Sequence, residues 1–274
     1  MNRKALIANI RQKKSVLCVG LDTDLDKIPT HLRGEDDPVF AFNKAIIDAT
    51  AQYTVAYKPN IAFYESEGLK GWRSLEKTVA YVRKAHPDIF LIADAKRGDI
   101  GNTAERYART FFKTMPFDSV TLSPYMGRDS IMPFLQDEGK WAIVLGLTSN
   151  RGALDVQMLT LGQTHQNKAV YKRVMESVAS WGTDKNIMFV VGATNESQLA
   201  DIRAAFPQHF FLIPGVGAQG GDLKTVLQST FIPGDGGVLI NSSRGIIYAS
   251  SGEDFEEAAR NEAKQMQSVM ADFF

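Results

Sequence analysis

The stretch LIADAKRGDIGNT, residues 91–103, begins as an apolar run and ends in alternating charges. Its first half predicts a buried β-strand. Asp94 and Lys96 are two residues apart, so both side chains should point to the same side of an extended strand. Gly98 should end that strand and leave Asp99 to Thr103 in a loop or in the first turn of a helix. Taken alone, this D-x-K-x-x-D pattern fits an active site and a salt-bridged surface strand equally well.

Seven other apolar runs have the same form, and each stops at a polar residue, a glycine or a proline. The eight runs cover residues 17–21, 53–57, 89–93, 119–122, 141–147, 187–191, 210–213 and 238–240. Between them lie amphipathic segments typical of helices, at residues 38–50, 71–85, 103–114, 167–180 and 196–205. This alternation predicts an α/β protein, and eight units in about 250 residues are typical of a (β/α)8 TIM barrel with eight parallel strands. We expect a single domain, residues 1–274. An open doubly wound sheet ranks below the barrel because no G-x-G-x-x-G follows the first run.

The composition excludes several classes of partner. Lys plus Arg and Asp plus Glu both number 31, so the chain has no basic excess to attract nucleic acid or an acidic membrane. No stretch approaches the ~20 apolar residues of a membrane span, and the amino terminus lacks the apolar run of a signal peptide. The single cysteine, Cys18, lies in an apolar run and is predicted to be a buried structural thiol. We therefore expect a cytoplasmic protein that binds neither nucleic acid nor membranes.

Polar and charged residues gather where the predicted strands end. In a TIM barrel those carboxyl ends form the active site. Surface salt bridges have no reason to collect at the same end of several strands, so the pattern favours a functional role for Lys58, Asp94 and Lys96. The residues at the strand ends are Asp22, Lys58, Asp94, Lys96, Ser123, Asn150, Gly215 and Arg244.

The last two strand ends indicate the kind of ligand. The glycine-rich segment PGVGAQGGD, residues 214–222, follows the seventh run, and Arg244 follows the eighth. Backbone N–H groups of a glycine-rich loop approach an anion closely, and the loops after strands seven and eight are the recurrent phosphate site of TIM barrels. The ligand should therefore carry a phosphate monoester. No metal site is expected, because the four histidines lie away from the strand ends and Lys58 and Lys96 would repel a cation.

The segment from Asp94 to Thr103 matches the pattern D-x-K-x-x-D-[IV]-x-x-T, and on this basis the chain resembles the orotidine 5′-phosphate decarboxylase family. The likeness is to the longer bacterial branch and covers nearly the whole chain. The long stretch 151–182 is the main departure. The other matching segments are GLD at 20–22, KPN at 58–60, LSP at 122–124, TSN at 148–150, PG at 214–215 with Gln219, and Arg244.

The resemblance implies decarboxylation of orotidine 5′-monophosphate to UMP and CO₂, the last step of pyrimidine nucleotide synthesis. It also implies that no metal or organic cofactor is used, and that the active sites lie at the interface of a homodimer. Lys96 would stabilise and then protonate a carbanion at C6, with Asp94 near the departing carboxylate. The catalytic residues implied are Lys58, Asp94, Lys96 and Asp99.

The substrate contacts are likewise implied by the resemblance. Asp99 and Thr103 should reach into the partner's site. Asp22 and Lys58 should hold ribose hydroxyls. The remaining members of the predicted substrate-binding set are Ser123 for the pyrimidine, Gln219 and Arg244 for the phosphate, and Ile100 and Pro214.

Two alternative functions remain open. One is a related phosphosugar enzyme on the same barrel, either a Mg²⁺-dependent decarboxylase or aldol-type lyase, or an aldolase that forms a Schiff base on Lys96. The second lysine, Lys58, argues against the metal-dependent forms. The other alternative is a non-catalytic nucleotide-binding barrel, which the complete set of charged residues disfavours.

Overall fold

Eight parallel strands close into a barrel in the computed structural model, which describes residues 1–193, 196–216 and 222–274. Each strand pairs with the next along the chain, and the last pairs with the first. The predicted TIM barrel is confirmed. The strands are β1 (Leu17–Leu21), β2 (Ala56–Pro59), β3 (Phe90–Arg97), β4 (Ser119–Leu122), β5 (Trp141–Leu145), β6 (Ile187–Val190), β7 (Phe210–Pro214) and β8 (Val238–Ser242).

Helices connect the strands and form the outer layer of the barrel. One helix precedes the first strand, and the last helix packs against the helix at Pro38–Thr50. The fifth continues into a π-helical turn at Thr110–Thr114. Among the described residues, no helix is long and apolar enough to cross a membrane. The helices are α1 (Arg3–Lys13), α2 (Pro38–Thr50), α3 (Ile61–Glu65), α4 (Gly68–Ala85), α5 (Gly101–Arg109), α6 (Ala153–Val156), α7 (Val170–Trp181), α8 (Glu196–Ala205), α9 (Leu223–Thr230), α10 (Arg244–Ile247) and α11 (Phe255–Ala271).

Strand β2 begins three residues later than the apolar run at 53–57 predicted. Tyr53 and Thr54 are β-formers by propensity, yet they lie in the turn after α2. Their carbonyl groups accept hydrogen bonds from side chains of the first segment of the chain: Ser15 Oγ binds Tyr53 O at 2.6 Å, and Lys13 Nζ binds Thr54 O at 2.9 Å. Tertiary contacts therefore override strand propensity here. The shift moves Lys58 into the strand itself.

An aromatic layer fills the amino end of the barrel. Phe90, Trp141 and Phe210 are the first residues of β3, β5 and β7, and all three are fully buried. Trp141 packs edge to face against both phenylalanines, with ring centroids 6.1 Å apart in each pair. Side chains from alternate strands form such layers in TIM barrels. This aromatic layer lies at the opposite end of the strands from Lys58 and Lys96, which are near the carboxyl ends of β2 and β3.

Cys18 is the buried thiol that the sequence predicts. Its side chain in β1 is fully buried, and its Sγ lies 3.6 Å from Asn241 Oδ1 in β8. Burial raises the pKa of Cys18 to about 12, because a thiolate would lose its solvation there. The group therefore stays protonated at neutral pH and is a poor nucleophile.

Candidate active site

Lys58, Asp94 and Lys96 form a charged cluster at the carboxyl ends of β2 and β3. The Asp94 carboxylate lies between the two ammonium groups: Lys58 Nζ is 2.8 Å from its Oδ2, and Lys96 Nζ is 2.6 Å from its Oδ1. The Lys58 side chain is only 6% exposed, whereas that of Lys96 is 52% exposed. The structure thus brings together three of the four predicted catalytic residues and leaves the Lys96 ammonium accessible to a ligand.

The ionisation states of this cluster follow from opposing effects. Burial by itself would lower the pKa of Lys58, but the carboxylates of Asp94 and Asp22 outweigh it and raise that pKa above the usual lysine value. Burial would likewise raise the pKa of Asp94, but Lys58 and Lys96 hold it well below its usual range. At neutral pH Lys58 is therefore protonated and Asp94 ionised.

The backbone that carries Lys96 departs from the prediction. The sequence predicts an extended strand through Lys96, yet this residue has a φ of 46°, in the left-handed region. The register between β3 and β4 shifts between Ala93 and Arg97, as at a β-bulge. Asp94 and Lys96 are neighbours as expected. They lie together because of the bulge, however, and not because side chains two residues apart on a regular strand point the same way.

Thr121 of β4 joins the cluster and was not predicted. Its Oγ1 donates to Asp94 Oδ1 at 2.9 Å and accepts from the Lys96 backbone N–H at 3.0 Å. The hydroxyl therefore connects the central carboxylate to the bulge. Nothing in the sequence marks it, because a threonine within a short buried strand is typical core composition.

Asp22 lies directly after β1 and extends the cluster. Its Oδ1 is 3.7 Å from Lys58 Nζ, is buried, and has no hydrogen-bond partner among the described residues. Such an acceptor suits a ligand hydroxyl, because a buried polar atom left unpaired is costly. Tyr248, a second residue absent from the predictions, supports this loop: its hydroxyl donates to Asp22 O at 3.1 Å and accepts from the Asp24 N–H at 2.8 Å.

Asp99, Ile100 and Thr103 lie at the start of α5, and among the described residues no hydrogen bond or ion pair joins them to the charged cluster. Asp99 is exposed, and its Oδ1 accepts a hydrogen bond from the Ile100 N–H at 2.8 Å. In the part of the chain that the structure describes, no cationic side chain pairs with Asp99. Ile100 is 41% exposed, and Thr103 is half-buried in the first turn of the helix. Asp99 is thus the one predicted catalytic residue that the single chain leaves outside the cluster.

The described members of the predicted base and phosphate contacts lie at the same barrel mouth. Ser123 follows β4 and is half-buried, and its N–H donates to Arg97 O at 2.7 Å. Pro214 is the last residue of β7, and Arg244, exposed, is the first residue of α10 just after β8. Gln219 lies outside the described residues. The described members of the set therefore occupy the carboxyl ends of β4, β7 and β8.

Gly20 explains how β1 approaches the segment that precedes Arg244. A Cβ atom at this position would clash with the side chain of Ser243. Any larger residue would have to displace the Ser243 side chain. The absence of a side chain at Gly20 therefore lets β1 pack closely against the segment after its neighbour β8.

The described residues offer no metal-binding group of three or more His, Cys, Asp or Glu side chains. The cluster, with Asp22 included, contains two ammonium groups and two carboxylates, and its most exposed charged group is the Lys96 ammonium. Ammonium groups repel a divalent cation and attract an anion. The exposed Lys96 ammonium is therefore suited to an anionic group of a ligand.

Comparison with known proteins gives consistent results. Residues 15–261 match the family model described as "Orotidine 5'-phosphate decarboxylase / HUMPS family". The chain is 54% identical to orotidine 5′-phosphate decarboxylase of Bacteroides fragilis, over 99% of this chain and 98% of that protein. It is 55% identical to the protein of the same name from Christiangramia forsetii, with the same coverage. Its fold is similar to the solved structure of Leishmania donovani OMP decarboxylase, with a TM-score of 0.81, 36% identity, and coverage of 98% of this chain and 99% of that one.

Proposed function

The chain belongs to the orotidine 5′-phosphate decarboxylase / HUMPS family, and on that premise we propose that its charged cluster converts orotidine 5′-monophosphate to UMP and CO₂. This carboxy-lyase reaction is the last step of pyrimidine nucleotide synthesis. The observation that carries the proposal is the Asp94 carboxylate held between Lys58 and Lys96 at the carboxyl ends of the strands.

Lys96 is the proposed acid of the reaction. Breaking the bond between C6 and the carboxylate releases CO₂ and leaves an electron pair on C6, in the plane of the pyrimidine ring. The ring π-system does not delocalise that pair, so a nearby positive charge has to stabilise it. The half-exposed Lys96 ammonium supplies that charge and then transfers a proton to C6.

Asp94 and Lys58 keep this ammonium in place. Asp94 remains ionised because two lysines lower its pKa, so it holds Lys96 by an ion pair and presents negative charge near the substrate carboxylate. Lys58 offsets that negative charge from the other side. A preorganised set of charges stabilises the transition state without having to reorganise during the reaction.

Turnover with and without a chelator tests the proposal. Purified protein should consume orotidine 5′-monophosphate, measured as loss of the orotate absorbance, at the same rate in EDTA as in buffer. Borohydride added with substrate should not trap a covalent adduct on Lys96. Binding of UMP without turnover would contradict the proposal and favour the non-catalytic barrel, and a rate lost in EDTA would favour a metal-dependent enzyme.

Arg244 is proposed to hold the substrate phosphate together with Gln219 and backbone N–H groups of the loop after β7. Arg244→Ala should lower kcat/KM by about 100-fold or more, because charge-assisted hydrogen bonds to phosphate are strong and their binding energy supports the reaction at C6. Steady-state kinetics measure this effect. The control is Arg260→Ala, which removes an arginine from the exposed face of α11. Unchanged kcat/KM would remove Arg244 from the phosphate site.

Thr121 is expected to support the cluster through its hydroxyl. Thr121→Val should lower kcat by about 10- to 100-fold, because Asp94 loses a hydrogen-bond donor and the Lys96 N–H loses its acceptor. Thr121→Ser retains the hydroxyl and should stay close to wild type. Kinetics and thermal unfolding of both variants test this. Equal rates for the valine and serine variants would show that the hydroxyl is dispensable.

We further propose that two copies of the chain associate through the start of α5 and share their active sites. Each copy would form one domain over residues 1–274, and the dimer would act in the cytoplasm. Asp99 is exposed beside Ile100, which is 41% exposed. On the adjoining loop after β4, Tyr125 is 89% and Met126 is 52% exposed. Exposed apolar side chains grouped in this way are typical of protein interfaces. A dimer would place Asp99 where it supports the partner's cluster.

A further inference from the structure

The β3 bulge holds Lys96 in a backbone conformation that a lysine rarely adopts. Its φ of 46° lies in the left-handed region, which favours glycine. Such a conformation persists only where the surrounding structure imposes it. On one side of the bulge, Thr121 accepts a hydrogen bond from the Lys96 N–H. On the other side, the contacts come from the next residue along the chain, Arg97.

Arg97 makes contacts in three directions. Its Nη1 donates to the carbonyl oxygen of Ala95 at 3.1 Å, directly before Lys96, and its Nη2 forms an ion pair with Glu65 of α3. The guanidinium lies over the ring of Tyr107 of α5, 5.1 Å from the centroid, and 5.8 Å from that of Phe111. A planar guanidinium combines these contacts, which a lysine ammonium cannot do.

The partner Glu65 gives this interaction a second consequence. It ends α3, the short helix that begins at Ile61, two residues after the last residue of the strand that carries Lys58. The Arg97–Glu65 pair therefore ties the segment after Lys58 to the segment that presents Lys96. It connects the supports of the two ammonium groups that flank Asp94.

This pair differs from an ordinary surface ion pair. The Arg97 side chain is only 20% exposed, its charge is stacked on aromatic rings, and one donor is committed to the backbone of the bulge. Exposed pairs such as Lys113–Asp137, with a lysine 61% exposed, contribute little to stability and touch no active-site segment. The D-x-K-x-x-D pattern leaves position 97 variable, so the motif assigns this residue no role.

We propose that Arg97, through Glu65 and Tyr107, is a positioning residue that fixes the β3 bulge and so aims the Lys96 ammonium at the reacting carbon. The proposal rests on the proposed function of Lys96. Arg97 itself touches neither Asp94 nor Lys96 side chains in the described contacts, so its effect is indirect.

Kinetics of three variants test the proposal: Arg97→Met, Arg97→Lys and Glu65→Gln. Arg97→Met should lower kcat by about 10- to 100-fold, because a small displacement of a reacting group has an effect of that size. KM for orotidine 5′-monophosphate and the affinity for UMP, measured by calorimetry, should change less than about threefold, because binding does not depend on the aim of Lys96. Arg97→Lys and Glu65→Gln each retain part of the interaction and should lie between wild type and Arg97→Met. Lys113→Met is the control for loss of an ion pair.

The outcomes separate this inference from the proposed function. If the wild-type chain does not turn over orotidine 5′-monophosphate, the proposed function fails. If wild type turns over and Arg97→Met keeps its kcat, the positioning role of Arg97 is wrong. A different result is a loss of activity in proportion to the loss of folded protein, measured by thermal unfolding, with kcat and UMP affinity falling together. That result would also overturn the positioning role and would show that Arg97 is merely structural. If Arg97→Met does not fold, the kcat values of Glu65→Gln and Arg97→Lys test the proposal instead. Both should lie below the wild-type kcat, and a wild-type kcat in both variants would refute the proposal.

Discussion

Lys96→Ala should lower kcat/KM for orotidine 5′-monophosphate by about 10,000-fold or more, the largest effect that we expect from any single substitution in this chain. The substitution removes both the positive charge that stabilises the C6 electron pair and the proton donor, and each of these effects is large by itself. The Lys58–Asp94 ion pair remains, so the rest of the site should keep its geometry.

The binding of UMP separates a chemical defect from a damaged site. Because Lys96 is proposed to act mainly in the transition state, the UMP affinity of Lys96→Ala should stay close to that of wild type. Lys70→Ala, an exposed lysine on α4, is the matched control and should keep kcat/KM within about twofold of wild type. Retention of more than about 1% of the wild-type kcat by Lys96→Ala would be incompatible with Lys96 as the main acid.

Asp99→Ala should also be nearly inactive, and mixing it with Lys96→Ala should restore activity if sites are shared between subunits. A mixed dimer has one site with both defects and one site with none. With free exchange of subunits and equal amounts, the recovered activity should approach about one quarter of wild type. The observation behind this prediction is that Asp99 is exposed and pairs with no cation of the described residues.

The test requires independent evidence that the subunits exchange, such as mass spectrometry of differently labelled variants. Each variant alone, treated in the same way, is the control. If mixed dimers form and activity does not return, Asp99 serves the site of its own chain. In that case the start of α5 would have to move to bring its carboxylate to Lys96.

The fold could be predicted from the sequence because its signals are local. Each strand of a barrel is buried on both sides and reads as a short apolar run, and each helix reads as an amphipathic segment. The bounds of α2 and α8 follow directly from this pattern. The bounds of β2 do not, because side chains from α1 and the segment after it hold Tyr53 and Thr54 in a turn.

The meeting of the charged residues could be predicted for the same reason. Asp22, Lys58, Asp94 and Lys96 each follow or end an apolar run, and in a barrel all such ends lie at one mouth. Their identities and approximate meeting place therefore require only the strand order. The structure adds that Asp94 is the centre of the cluster, with Lys58 at 2.8 Å and Lys96 at 2.6 Å.

By itself, the sequence determined the barrel and the end at which Lys58, Asp94 and Lys96 meet, because both depend on which residues are buried along each segment. Only the tertiary structure decided how Lys96 is aimed. The bulge depends on the register between β3 and β4. Lys96 contacts Thr121, 25 positions along the chain, and Arg97 contacts Glu65, 32 positions away, so both contacts depend on how the strands and helices pack. Such contacts leave no local pattern in the sequence. A threonine in a strand and an arginine beside a lysine look the same in the sequence whether or not they contact residues far along the chain.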